Sequence, residues 1–231
     1  MGLRTVEESS LVRVADAIRA KAGTSEQMVF PDGFEAVVNG IQAGGGGDEW
    51  KNVLMSVVER SATTISLPEG IKKIGESVFY EFKYLVFVSL PEGITEIGAR
   101  AFYRCTNLAL TSLPEGIKTI DGSTFYQCTN LALTSLPEGI KTIDGSAFHQ
   151  CTNLALTSLP EGITEIGSNA FYSCKSLKVL TIMGKPVSIH STSFSQCDNL
   201  ITINVPWSEG EVLGAPWGAT NATINYNYTG E

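Results

Sequence analysis

The stretch CTNLALTSLPEGIKTIDGS occupies residues 105–123, and the same nineteen letters occur again at residues 128–146. The interval between the copies is 23 residues, and it extends well beyond them. Repetition at a fixed short period is typical of solenoids, in which each repeat stacks on its neighbours to bury an apolar face. Five columns share the period: Leu67, Leu90, Leu113, Leu136 and Leu159; Ile74, Ile97, Ile120, Ile143, Ile166 and Ile189; Phe79, Phe102, Phe125, Phe148, Phe171 and Phe194; Leu85, Leu108, Leu131, Leu154, Leu177 and Leu200; Cys105, Cys128, Cys151, Cys174 and Cys197.

The apolar residues of each copy predict one β-strand. Leu177, Leu180 and Ile182 follow a Leu-x-x-Leu-x-Leu pattern whose last two positions alternate with strand period. The Pro-Glu-Gly that follows ends the strand, because proline cannot donate a hydrogen bond to a sheet. One strand per copy predicts a parallel sheet with rungs ~4.8 Å apart. Three copies place a threonine at the middle position of the pattern: Thr111, Thr134 and Thr157.

The stretch LPEGITEIGARAFYRCTNL, residues 90–108, resembles the BspA-like leucine-rich repeats of bacterial surface and phage-associated proteins. The resemblance covers roughly residues 60–205. It implies an α/β solenoid, a short right-handed leucine-rich repeat with a parallel sheet on one face, preceded by a small helical segment. The role that it implies is binding or adhesion. A plain parallel β-helix is the alternative architecture.

The non-repeating ends divide the rest of the chain. Residues 1–43 are expected to form two short helices that attach the chain, and the glycine-rich residues 44–48 are expected to form a flexible linker. Residues 49–66 would cap the first coil, residues 67–205 would form the solenoid, and residues 206–231 would cap its far end. In the last segment, TINYNY has the alternation of a final strand; one period on from Leu200 and Ile203 it would begin at Thr223 and place Tyr226.

The N-terminal segment carries a second resemblance. The stretch DAIRAKAGTSEQMVFPDGFEAVVNGI, residues 16–41, is similar to a segment of tail-associated proteins from phages and prophages of gut Firmicutes. It implies that residues 1–43 attach the chain to a larger assembly and that the solenoid is displayed. The short helices cannot form a stable core alone, so a homo-oligomer through residues 1–43 is also open.

The five cysteines are expected to be free thiols. They fall one per copy in a single column beside a core phenylalanine, where cysteine behaves as a small buried hydrophobe. Stacked side chains point the same way, so a disulfide between rungs would be strained. A linear column also lacks the closed set of thiolates that a metal site requires, so no metal site is expected.

Charge and composition exclude several classes of partner. The net charge of −8 disfavours nucleic acid and anionic lipid, and no apolar run reaches the ~18 residues of a membrane span. The N-terminus lacks the apolar region of a secretory signal. The resemblances therefore imply a virion, or an extracellular or cell-surface location, reached without that signal.

No motif of an enzyme occurs. The two histidines are forty-one residues apart, no serine or cysteine has a histidine and an acid at triad spacing, and no phosphate-binding glycine loop is present. His149 takes the place of Tyr103 and Tyr126 at an outward position. The glutamate column is interpreted as a solvated acidic edge, since one carboxylate per rung is a poor calcium site. No cofactor is expected.

The outward strand face supplies the candidate site. In strand alternation, one apolar row and one hydroxyl row would face solvent, which suits a protein or glycan surface. Two functions follow: a non-enzymatic binding or adhesion module, or a structural protein that uses the repeats as a rigid spacer and its N-terminal helices for oligomerisation. The row could also be a tolerated leucine copied by duplication, or could close a homo-oligomer. The candidate residues are Phe87, Leu110, Leu133, Leu156 and Val179, with Ser89, Ser112, Ser135 and Ser158, and Thr181 beside them.

Overall fold

The structure, a computed structural model, describes residues 62–67 and 70–230. They form a parallel β-solenoid of about seven turns, in which the predicted copies stack directly on one another. Within these residues no helix occurs, so the α/β class predicted from the sequence is not confirmed: each return segment consists of turns. The two helices, the glycine linker and most of the N-terminal cap predicted for residues 1–61 lie outside the described residues.

Each coil contributes short strands to two rows, which we call the front and rear rows. Pairing in both rows is parallel, and between adjacent copies equivalent residues lie opposite each other, as Ile74 lies opposite Ile97. The front strands are β1 (Thr64–Ser66), β3 (Phe87–Ser89), β7 (Ser158–Leu159), β9 (Val179–Ile182), β11 (Thr202–Asn204) and β12 (Thr223–Asn225). The rear strands are β2 (Lys73–Ile74), β4 (Glu96–Ile97), β5 (Thr119–Ile120), β6 (Thr142–Ile143), β8 (Glu165–Ile166) and β10 (Ser188–Ile189).

The two rows are not continuous. The front row divides into β1–β3 and β7–β9–β11–β12, and the rear row divides into β2–β4 and β5–β6–β8–β10. Two copies, residues 108–116 and 131–139, therefore contribute no front strand at all. The gap in the front row determines the shape of the candidate site described below.

The return segment, by contrast, forms an uninterrupted hydrogen-bond ladder. The amide of Phe79 donates to the carbonyl of Ala101 at 2.8 Å, and the equivalent bond recurs in each coil up to the bond from Phe194 to Trp217 at 2.9 Å. The tight turns place non-glycine residues at positive φ, such as Ser123 at 58° and Gln127 at 57°. This left-handed conformation is uncommon for side-chain-bearing residues, so its recurrence shows that stacking fixes the turn in every coil.

The interior is a set of stacked columns. The six phenylalanines lie parallel in a continuous stack, with ring centroids 5.1–5.5 Å apart along the column. The isoleucines of the rear row and the leucines that begin each copy are buried beside them. Each coil thus completes the core of its neighbours, as the 23-residue period predicts.

The cysteines are free and buried, as the sequence predicts. Each thiol donates to the carbonyl of the phenylalanine 26 residues earlier; for Cys105 and Phe79 the distance from Sγ to O is 2.9 Å. Burial raises the pKa of the Cys105 thiol to about 12 and that of Cys197 to about 11. The more deeply buried Cys151 has a pKa raised further by the same cause. These thiols therefore stay protonated and unreactive at neutral pH.

The described C-terminal end is closed by tryptophans and a last strand. Trp217 is fully buried and its indole donates to the carbonyl of Leu213 at 2.8 Å. Strand β12 lies beside β11, so the predicted final strand is present. Its register differs from the prediction, because Ile203 lies opposite Ile224 and not opposite Tyr226.

Candidate functional site

The structure divides the predicted outward row. Phe87 and Val179 face solvent, with exposed fractions of 49% and 43%. Leu110, Leu133 and Leu156 do not, since all three are buried in the core. The prediction of a continuous exposed apolar row was therefore wrong at its three central positions.

The cause lies in the position of leucine within the central copies. Flanking copies place their buried residue one position later, as Val88 and Leu180 do, whereas the central copies carry threonine there and leucine before it. Burying a leucine stabilises by about 1.5–3 kcal/mol, whereas burying an unpaired hydroxyl costs free energy. Each front hydrogen bond that is lost forfeits only about 0.5–1.5 kcal/mol net, because water replaces it. Leucine burial therefore outweighs the regular strand.

The hydrogen bonds record the same shift. In the flanking copies the amide of Ile201 donates to Lys178, 23 residues earlier, at 2.9 Å. In the central copies the amide of Ala132 donates to Leu110, only 22 residues earlier, at 3.1 Å. The backbone has thus moved by one residue relative to its neighbour, which turns each central leucine inward.

The shift brings a hydroxyl surface to the front of the solenoid. Ser112, Ser135 and Ser158 are exposed as predicted, whereas Ser89 and Thr181 are half-buried. Because the leucines turn inward, the neighbouring threonines turn outward. Within residues 70–230, the backbone–backbone hydrogen bonds include none from the amides of Thr111, Ser112, Thr134 or Ser135. The exposed hydroxyls of the central copies are Thr111, Ser112, Thr134, Ser135, Thr157 and Ser158.

A groove, which we call the central groove, crosses these three copies. Its floor is the column Ala109, Ala132 and Ala155 together with the six hydroxyls, and its two ends are Phe87 and Val179. Beyond those ends the alanine column continues as bulkier exposed residues, Val86 on one side and Lys178 and Ile201 on the other. The alanines repeat with the same 23-residue period as the leucines, so this signal was present in the sequence although the analysis there did not use it.

A depression lies at each end of the central groove. One has a volume of about 200 Å³ and is lined by Phe87, Ser89, Thr111 and Ser112 among others. The other has a volume of about 570 Å³ and is lined by Ala155, Thr157, Lys178 and Val179 among others. Both lie where a copy with a regular strand meets a copy with a shifted one, so the change of register creates them.

Charge is confined to the rim of the groove. Lys175 and Lys178 stand at one end, and Lys175 is paired with Asp198. The glutamates that follow each proline are exposed along one side: Glu92, Glu115, Glu138 and Glu161. The floor itself carries only methyl and hydroxyl groups.

The return segment carries a second surface feature, an aromatic column of half-buried residues: Tyr80, Tyr103, Tyr126, His149 and Tyr172. Successive ring centroids are 4.3–4.8 Å apart and the rings are nearly parallel. The interior rings therefore cover each other's faces, which leaves only edges for a ligand. His149 is half-buried between Tyr126 and Tyr172, and this burial lowers its pKa.

Two classes of site were sought in the described part of the chain. No group of three or more His, Cys, Asp or Glu is placed there to hold a metal ion. The described residues also include no helix of the length and hydropathy needed to cross a membrane.

Comparison with known proteins identifies the repeat. The model of the BspA type leucine rich repeat region matches residues 58–164 and 134–212. No curated protein matches the chain. Among solved structures, a Treponema pallidum leucine rich repeat protein is 30% identical, with a TM-score of 0.55, over 62% of this chain and 72% of that one.

Two further structures are similar over a smaller share of their own length. A leucine rich cell surface protein from Faecalibacterium prausnitzii A2-165 is 29% identical with a TM-score of 0.49, over 62% of this chain and 48% of that one. The pneumococcal vaccine antigen PcpA is 23% identical with a TM-score of 0.55, over 72% of this chain and 42% of that one. The match over residues 58–212 includes more than half of the chain, and the chain belongs to the BspA-type leucine-rich repeat family.

Proposed function

We propose that the chain is a non-enzymatic binding module that contacts a protein or glycan at a bacterial surface through its front face. The observation that supports it is the central groove: an exposed hydroxyl surface between Phe87 and Val179, held on a core that every coil helps to complete. A rigid concave surface with convergent polar groups is the usual form of a binding site.

The N-terminal part of this proposal concerns display. The resemblance of residues 16–41 to tail-associated proteins suggests that residues 1–43 attach the solenoid to a virion or a cell surface. Sedimentation of the full chain and of a chain lacking residues 1–47 tests whether these residues assemble copies. A change in sedimentation larger than the lost mass supports attachment through them, and no such change contradicts it.

The binding function is tested by blocking the groove. We expect the full chain, labelled at its terminus, to bind bacterial cells or their extracted surface components, and Ala132→Phe to lose at least about tenfold in affinity. Thr142→Phe is the matched control, because it adds the same ring to the rear row of the same coil. If wild type binds nothing on such surfaces, the rigid-spacer function replaces this proposal.

A further inference from the structure

We propose that the central groove binds a neutral glycan chain with one sugar unit over each coil. The inference rests on the binding function proposed above and names the ligand class of the same surface. It is drawn from the repetition, the chemistry and the charge of the groove.

Repetition is the first argument. The segment LALTSLPEG occurs at residues 108–116, 131–139 and 154–162 without a single difference. The groove therefore presents one surface three times, at successive rungs ~4.8 Å apart. A peptide with varied side chains would need pockets that differ from one another, and these three segments offer none. A polymer that repeats one unit meets the same contacts at each rung.

The chemistry of the floor is the second argument. Each coil of the groove exposes one threonine and one serine hydroxyl, and each hydroxyl donates one hydrogen bond and accepts others. The unpaired amides of Thr134 and Ser135 add donors in the same place. Sugar hydroxyls have the same capacity to donate and accept, so they match this floor. The exposed ring of Phe87 offers an apolar surface to the C–H face of a sugar at one end.

Charge is the third argument. The exposed front residues of the three central copies are alanine, threonine and serine, without an ionisable group. The chain carries a net charge of −8 and a column of exposed glutamates runs along the groove, so anionic glycans are repelled. At the lysine end, Lys175 is already paired with Asp198. A neutral ligand needs no counter-charge and meets no repulsion here.

The ends of the groove limit the ligand. Phe87 and Val179 are four rungs apart, or roughly 19 Å at the usual strand spacing. Affinity should therefore rise with chain length until the glycan spans that distance and then level off. A ligand without a repeating unit would show no such dependence on length.

The experiment uses the full chain and a series of neutral hexose oligosaccharides of increasing length, with sulfated versions of the same oligosaccharides for comparison. We expect binding to at least one neutral series, an affinity that rises with length and then levels off, and at least about tenfold weaker binding of the sulfated form. Phe87→Ala and Ala132→Phe should each lose at least about tenfold in affinity, and the rear-face control Thr142→Phe should lose none.

Three outcomes overturn the inference or separate it from the proposed function. If no neutral oligosaccharide binds but Ala132→Phe still abolishes attachment to cells or surface proteins, the ligand is a protein and only the glycan assignment fails. If neutral oligosaccharides bind equally to wild type and Ala132→Phe, the site lies outside the groove. If neither oligosaccharides nor cells bind, the proposed function fails as well. Thermal unfolding of each variant confirms that it is folded.

Discussion

The central and flanking copies share a period but solve the burial problem differently. In the flanking copies a regular front strand buries Val88, Leu180 or Ile203, whereas in the central copies leucine lies one position earlier and the strand is given up to bury it. The return segment with its phenylalanine stack is the same in both. Stacking therefore depends on the return segment and the core columns, and the front face is free to vary.

The largest expected effect distinguishes buried from exposed members of one column. Leu133→Glu should lower the free energy of unfolding by more than about 3 kcal/mol, because it removes a fully buried side chain and introduces a charge. Val179→Glu, one column-mate away on an exposed site, should change it by less than about 0.5 kcal/mol. Urea unfolding of both variants measures the difference, and equal losses would contradict the inward turn of the central leucines.

Hydrogen exchange tests the gap in the front row. The amides of Thr134 and Ser135 should exchange about a hundredfold faster than that of Phe125, which donates to Ala147 at 2.9 Å in the return ladder. The amide of Ile201, bonded to Lys178, is the control within the front row. Residue-resolved exchange measured by NMR would count against the gap if all four amides were equally protected.

The buried thiols predict a loss of stability at high pH. Folding raises the thiol pKa, so above the ordinary value of 9.0 the unfolded chain releases protons that the folded chain keeps. Each such thiol lowers the free energy of unfolding by up to about 1.4 kcal/mol per pH unit, starting near pH 9. For Cys197 the decline ends near its folded pKa of about 11, whereas for Cys151 it continues higher.

The contribution of one thiol is isolated by difference. The stability of wild type minus that of Cys151→Ala, measured by urea unfolding between pH 8 and 10, should fall as pH rises, since lysines and tyrosines contribute equally to both proteins. A difference that is independent of pH would show that this thiol ionises as readily in the folded chain as in the unfolded one.

The smallest effect concerns the single break in the tyrosine column. Burial lowers the pKa of His149, so below its ordinary value of 6.5 the unfolded chain takes up a proton before the folded chain does. Stability should therefore decline as pH falls from 7 to 5, by less than about 1 kcal/mol. His149→Tyr should remove that part of the decline, and chemical unfolding at the two pH values checks it.

The sequence predicted the solenoid because its columns are strict. A phenylalanine or isoleucine every 23 residues can be buried only by stacking, and the free, buried cysteines follow from the same column logic. The helical class did not follow for the described residues, because the return segments are too short and too turn-rich. The register of the last strand was also missed, since the loop between Trp207 and Trp217 changes the count.

The candidate site was predicted only in part. Alignment by column placed Leu110, Leu133 and Leu156 beside Phe87, and strand alternation then put them all outside. The structure shows that the position of the apolar residue overrides the column, since Thr111 cannot be buried as favourably as its leucine neighbour. The exposed serines were predicted correctly, and the alanine floor required knowledge of the shifted backbone.

The uninterrupted return ladder has a consequence for how such a surface changes over generations. Because each coil bonds to the next in the same way, an additional identical unit inserted by unequal recombination would meet the contacts its neighbours already offer. Every insertion or deletion would lengthen or shorten the front surface by one step without redesigning a side chain. Copy number is then a heritable dial for the size of what the molecule can hold.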